Sequence, residues 1–280
     1  MRMMIHGGFF TESHTDPETK LAKQEALKRI ILQGYEWLQQ HSAAETVVKV
    51  VELLEDDALF NAGTGSQIQR DGKVRMSASV MDGHTRKFYG VLNIEGVRHP
   101  VRVAALLKQE EDRVLGGEMA TEYARKQGIE AYDPRIPQRI QEFEAKQKSH
   151  GTGTVGCVAL DAQGYLASAT STGGKGFEIP GRISDSGTTA GNFASPVCGV
   201  SCTGVGEDIV SVALASGIVT RVKDGHSLKE AFRRGFEELK EIDGFAGAIG
   251  IDHQGNMWHQ DSHPSMVFAA YDGETLTLFQ

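Results

Sequence analysis

The chain has 280 residues, 40% of them apolar, and a formal charge of −8. That length can bury one sizeable core or two small ones, and the acidic balance argues against nucleic acid and anionic membrane as partners. Residues 1–10 carry no long apolar core or small-residue cleavage site, and no apolar run reaches the ~18 residues of a membrane span, so a cytoplasmic protein is expected.

In chain order, Arg2 to Ile5 reads as a short strand ending at His6-Gly7-Gly8, glycines that permit close backbone approach. His6 is expected to pack or orient this loop rather than do chemistry. Asp16 and Pro17 read as the cap and first residue of a helix, with Leu21, Leu27, Ile30, Ile31 and Leu38 at helical spacing. Ser42 and Glu45 form a capping box for a second helix through Val47, Val48, Val51 and Leu54. That helix ends on Glu55-Asp56-Asp57, acids that oppose the macrodipole; a hard cation bound by free helix-end carbonyls is one reason for them, and a solvated turn is the simpler one.

Val74 to Met81 is the next expected strand, followed by a solvated basic turn with His84, Arg86 and Lys87. Helices are expected from Pro100 and from Gly117 to Lys126, the latter stopped by Gly128. Residues 132–149 are polar and charged, a weakly amphipathic helix draining into a linker, where a chain is readily cut.

Residues 150–174 organise the rest of the chain. Val155, Cys157, Val158 and Leu160 form one apolar run, Asp161 to Gly164 is turn chemistry, and Tyr165, Leu166, Ala167 and Ala169 begin a second run. An antiparallel hairpin brings Thr172 back beside Thr154. A threonine hydroxyl needs an adjacent base to act as a nucleophile. Cutting the Gly153–Thr154 bond would supply one, because a free α-amine titrates at roughly 7.7–8.0. The β-methyl also restricts the hydroxyl's rotamers.

Beyond the hairpin, Arg182 and Asp185 suit a carboxylate clamp and an ammonium partner, although a surface ion pair is the default for such a couple. Ser201 to Glu207 leads into a helix spanning Ile209 to Val219, whose first backbone N–H groups suit an oxyanion. Ser227 and Glu230 cap a last helix, and short strands are expected near 248–251, 257–259 and 266–270. His259, Asp261 and His263 read as a sheet-end loop without zinc spacing. Cys157, Cys198 and Cys202 form no CxxC pair and read as buried reduced thiols.

The stretches GTVGCVALD, ATSTGG, IPGRISDS and SCTGVGE, in this order, resemble the plant-type asparaginase / isoaspartyl peptidase family of N-terminal-nucleophile (Ntn) hydrolases. The resemblance runs from His6 to the glycine-rich strands near 247–256. It implies an α+β fold, a four-layer αββα sandwich, in one domain cut into an α-subunit 1–153 and a β-subunit 154–280. It implies Thr154 as nucleophile, Thr172 holding its oxygen, and Thr203 and Gly204 as the oxyanion hole. Arg182, Asp185 and Gly206 would grip the substrate, and Gly7, Gly8, Asn61 and Gly153 would support autoprocessing.

It further implies no catalytic cofactor, a structural sodium on the carbonyls of Leu54, Glu55, Asp57, Phe60, Ala62 and Thr64, and a homodimer of α/β pairs. The substrates would be L-asparagine and β-aspartyl dipeptides. The chain departs from the family pattern at Phe9 and Phe10, at Ser77 in place of an acid, and in the basic turn. Three rivals stand beside this reading: a glycosylasparaginase-type amidase, suggested by residues 175–182; an unprocessed pseudoenzyme serving as a binding or scaffold protein; and a metal hydrolase built on His259 and His263.

Overall fold

The computed structural model describes residues 1–9, 17–145 and 153–280. The expectations for Phe10, for Asp16 as helix cap and for residues 146–152 lie outside them. In chain order the elements are β1 (Arg2–Phe9), α1 (Pro17–Leu38), α2 (Ala43–Glu55), β2 (Met76–Asp82), β3 (Lys87–Ile94), α3 (Pro100–Leu106), β4 (Val114–Gly116), α4 (Gly117–Lys126) and α5 (Pro137–Glu144). Next come β5 (Val155–Leu160), β6 (Leu166–Thr172), β7 (Asn192–Ala194), β8 (Cys198–Gly204), α6 (Gly206–Ser211), α7 (Leu214–Lys223), α8 (Leu228–Glu241), β9 (Ala246–Asp252), β10 (Met257–Asp261), β11 (Met266–Tyr271) and β12 (Leu276–Leu278).

The strands form two sheets. Eight run in the order β12-β11-β1-β5-β6-β2-β3-β4, and four in the order β10-β9-β8-β7. Helices α1, α2 and α3 pack on the large sheet and α7 and α8 on the small one, while β5 and β6 face β8 between them. This is the helix–sheet–sheet–helix layering expected of the Ntn-hydrolase type. Because β1, β5, β6 and β2 are covered on both faces, nearly all their residues are buried, so period-two alternation is lost there.

Local chemistry fixes how α2 meets the central hairpin. Ser42 Oγ accepts from the Glu45 N–H and Glu45 Oε2 from the Ser42 N–H, the capping box read from the sequence. Asp161 in the β5–β6 turn adds a long-range tie. Its Oδ1 accepts from the N–H groups of Gln163 and Tyr165, and its Oδ2 from the Ala43 N–H at 2.9 Å, one of the helix-start donors left without an intrahelical partner. Val47, Val50, Val51 and Leu54 of α2 are fully buried. Each contributes on the order of 1.5–3 kcal/mol relative to exposure.

Several expectations change. The first strand does not stop at Ile5; β1 continues through Gly7 and Gly8 to Phe9, with a register irregularity against β11 between His6 and Phe9. Phe9 is buried against the Phe245 ring. Leu21 is exposed, so the apolar stripe of α1 begins at Ala26. The basic turn is shorter than expected, since Lys87 already opens β3. The single helix after Gly206 is two helices, α6 and α7, broken where Ala213 adopts φ 48°. All three cysteines are buried and unbridged, as expected. Among the described residues, no helix is long and apolar enough to cross a membrane.

Candidate active site

The β5–β6 register pairs Val155 with Ser171, which sets Thr154 opposite Thr172 one step further. The Thr154 hydroxyl donates to Thr172 Oγ1 at 3.2 Å, and Thr172 Oγ1 also accepts the Gly174 N–H. Both side chains are buried. Upstream, the Gly153 carbonyl accepts the Asn61 N–H at 3.2 Å. Asn61 is pinned in turn: its amide donates to the Gly174 carbonyl, and its Oδ1 accepts from the Gln67 N–H. The Gly153–Thr154 junction is thus held through its backbone from the loop after α2 and through the Thr154 hydroxyl from the end of β6.

Another group of contacts crosses to the small sheet. His6 Nδ1 lies 3.0 Å from the Thr154 carbonyl oxygen and Nε2 lies 2.7 Å from Ser201 Oγ. Ser201 Oγ is 2.6 Å from Thr170 Oγ1. These groups meet over Gly156, where a Cβ would stand 2.0 Å from Ser201 Oγ and 2.3 Å from His6 Nε2, both prohibitive contacts. Because side chains two apart on a strand share a face, Thr203 points to the same inter-sheet face as Ser201. Thr203 is fully buried and Gly204, with φ 137°, ends β8. Gly204 therefore belongs to the strand and not to the helix start, and α6 begins at Gly206.

Arg182 and Asp185 also meet at a glycine. A Cβ on Gly206 would stand 2.7 Å from Asp185 Oδ1 and 2.9 Å from Arg182 Nη2. The two are not ion-paired with each other. Arg182 donates from Nε and Nη2 to the two carboxylate oxygens of Glu207, at 2.7 and 2.8 Å, and Lys175 also reaches Glu207 at 3.3 Å. Arg182 holds the Glu207 carboxyl down at about 2. Asp185 accepts from Ser184 Oγ at 2.9 Å, while its buried Oδ2 has no hydrogen-bond partner among the described residues. Burial pushes its carboxyl up to about 6, against the pull of Ser184 and Arg182.

The acids ending α2 turn out to have partners of their own. Glu55 is fully buried, with Oε1 accepting from the Ser171 hydroxyl at 2.6 Å and the Val101 N–H at 3.1 Å. Burial lifts its carboxyl well above the ordinary range. Asp56 pairs with Arg98 and His99, and Asp57 with Arg29. Each acid of the run thus has a side-chain or backbone partner. The backbone is a separate matter. The loop folds back so that the Thr64 N–H donates to the Glu55 carbonyl and the Phe60 N–H to the Asp57 carbonyl, with Gly63 wedged against the Glu55 oxygen. Carbonyl oxygens keep a second lone pair, so the set Leu54, Glu55, Asp57, Phe60, Ala62 and Thr64 fits a hard cation by donor chemistry.

Gly7 lies against the Phe60 ring and Gly8, with φ 88°, comes after it in β1. Ser77 pairs in register with Thr172 across β2 and β6, and its hydroxyl accepts the Asn93 N–H. His259 and Asp261 lie on β10, not in a loop; His259 stacks on Phe268 and His263 sits against Phe245. Among the described residues no three His, Cys, Asp or Glu side chains gather as a metal-holding group. Sequence reasoning missed the clamp of Glu207 on Arg182 and the Ser201–Thr170 contact; both join segments remote in sequence, and no spacing signals them.

A family profile described as Asparaginase matches residues 1–279. The chain belongs to the asparaginase family. An isoaspartyl peptidase/L-asparaginase of Synechocystis sp. is 41% identical over 98% of this chain and 89% of its own length. The isoaspartyl peptidase of Escherichia coli is 36% identical over 98% and 94%. A plant-type L-asparaginase of Pyrococcus abyssi is 32% identical over 95% of both chains. The protein is therefore an enzyme, a hydrolase of this family.

Proposed function

We propose that this asparaginase-family protein hydrolyses the side-chain amide of L-asparagine and the isopeptide bond of β-aspartyl dipeptides, using Thr154 as an amino-terminal nucleophile. The observation that carries the reading is the Thr154 hydroxyl set on Thr172, one residue past a carbonyl already hydrogen-bonded to a backbone N–H. The names of the relatives support the substrate class.

Activation would start with Thr154 Oγ attacking the Gly153 carbonyl. The Asn61 N–H would stabilise the oxyanion, the C–N bond would break with the Thr154 hydroxyl proton going to the new amine, and water would hydrolyse the ester. That yields chains 1–153 and 154–280 and frees the α-amine. In turnover the amine takes the hydroxyl proton, Oγ adds to the substrate's amide carbon, and Thr203 and Gly204 serve as oxyanion donors. The C–N bond breaks, the leaving amine takes the proton, and water then releases aspartate. Arg182 would hold the α-carboxylate and Asp185 the α-ammonium, with Gly206 against the latter. A sodium on the loop carbonyls after Leu54 would tie that loop structurally and take no step. Two α/β pairs per assembly complete the proposal.

Rates on asparagine, β-aspartyl-leucine and N-glycosylated asparagine test the substrate class. The first two are expected to exceed the third by at least about tenfold; a preference for the glycosylated amide would replace this reading with the glycosylasparaginase type.

The pH profile carries a further expectation. Asp185 must be ionised to hold an ammonium and the Thr154 amine must be neutral to act as base, so both add acid limbs to kcat/KM. The plot of log kcat/KM against pH should rise with slope two below about 6, where Asp185 titrates, and with slope one from there to the amine's range of roughly 7.7–8.0. In Asp185→Asn only slope one should remain, at a lower level throughout. An unchanged slope of two would show that another group sets the lower limb.

A further inference from the structure

The contact network around the nucleophile has a definite direction. A carbonyl oxygen only accepts, so His6 Nδ1 must carry the proton that it donates to Thr154. Full burial pushes the imidazole down to about 3, so the ring is neutral and Nε2 is bare. Nε2 therefore accepts, and the Ser201 hydroxyl donates to it. Ser201 has then used its one proton, so the Thr170 hydroxyl donates to Ser201. The chain runs Thr170 to Ser201 to His6 to the Thr154 carbonyl. Every member is buried, and the chain ties β6 and β8 to β1 across the two sheets.

Its end point is one residue beyond the ladder. The backbone pairing of β5 ends at Gly156 opposite His6 on one side and at Val155 opposite Ser171 on the other. Thr154 lies outside both. In the uncut chain it is also held through Gly153, whose carbonyl sits on Asn61. Once the Gly153–Thr154 bond is cut, that tether no longer acts on Thr154.

We infer that His6, oriented by Ser201 and Thr170, is a positioning residue that fixes the freed Thr154 through its carbonyl and so aims the amine and hydroxyl in the cut enzyme. The inference rests on Thr154 being the amino-terminal nucleophile. The role differs from loop packing, because it asks for a donor at one ring position. Asparagine at residue 6 places an N–H near the Nδ1 site and glutamine places one near the Nε2 site.

The test is kcat and KM per cut chain, normalised to the amount of amino-terminal Thr154, for His6→Ala, His6→Asn, His6→Gln and Ser201→Ala. His6→Ala is expected to lower kcat at least about tenfold with KM within about twofold, as a loosened reacting group does. His6→Asn should recover most of the loss and His6→Gln should not, although glutamine fills the space better. Glutamine equalling or exceeding asparagine would overturn the inference. Should the residue 6 variants not accumulate as cut protein, Ser201→Ala decides, because it deletes one oxygen. It is expected to lower kcat about threefold with KM unchanged, and an unchanged kcat per cut chain would overturn the inference. Failure of the nucleophile assignment looks different: wild-type turnover would occur with no chain beginning at Thr154.

Discussion

Thr154→Ala is expected to leave the chain uncut and to lower amide hydrolysis about 10⁴-fold or more, as loss of a covalent nucleophile does. Folding is not the cause in this variant. The substitution removes one hydrogen bond, to Thr172, worth about 0.5–1.5 kcal/mol, and one buried methyl, worth about 0.8 kcal/mol, against a net domain stability of about 5–15 kcal/mol. A thermal melt close to that of the wild type should accompany the loss. Thr154→Ser is the matching control: it keeps the hydroxyl and gives up the methyl that restricts its rotamers, so both cutting and turnover should persist at a rate reduced by about tenfold or less. Gel analysis and an ammonia-release assay on the three proteins check the set. Undiminished hydrolysis by the alanine variant would remove Thr154 from the mechanism.

The second large effect is expected at Arg182. Arg182→Ala should lower kcat/KM for asparagine by about 10²–10³-fold, the scale of removing one member of a mostly buried charge-paired contact. Its guanidinium is held by Glu207 through Nε and Nη2, which leaves Nη1 for an incoming carboxylate. Arg182→Lys keeps the charge and loses the fork, so it should recover only part of the loss. Cutting between Gly153 and Thr154 should proceed in both variants, because Arg182 makes no hydrogen bond to Gly153, Thr154, Thr172 or Asn61. That separation is the check. Loss of cutting together with turnover would mean that Arg182 supports the fold and not the substrate.

What was legible in the sequence was local. The capping box at Ser42, the Ser227 cap, the Asp161–Gly164 turn and the hairpin that returns Thr172 to Thr154 depend on residues close together in the chain, and the structure has each of them. Strand β3 escaped because its exposed Lys87 continues a basic turn, although Tyr89 and Val91 behind it are buried. The break between α6 and α7 escaped because Ala213, and no glycine or proline, takes the left-handed conformation. The partners of the acidic run after Leu54, Arg29, Arg98, His99 and Ser171, were not legible because they come from elsewhere in the chain. Likewise, Arg182 and Asp185 meet at Gly206, but the partner of Arg182 is the next residue, Glu207, 25 positions from Arg182 and hidden from any pattern.

Intact mass and amino-terminal sequencing of active protein test the central claim most directly. Two chains are expected, with the smaller beginning Thr154-Val155-Gly156 and its amount tracking the hydrolysis rate as cutting proceeds at neutral pH. Full hydrolysis by a sample in which every chain still spans the Gly153–Thr154 bond would contradict it.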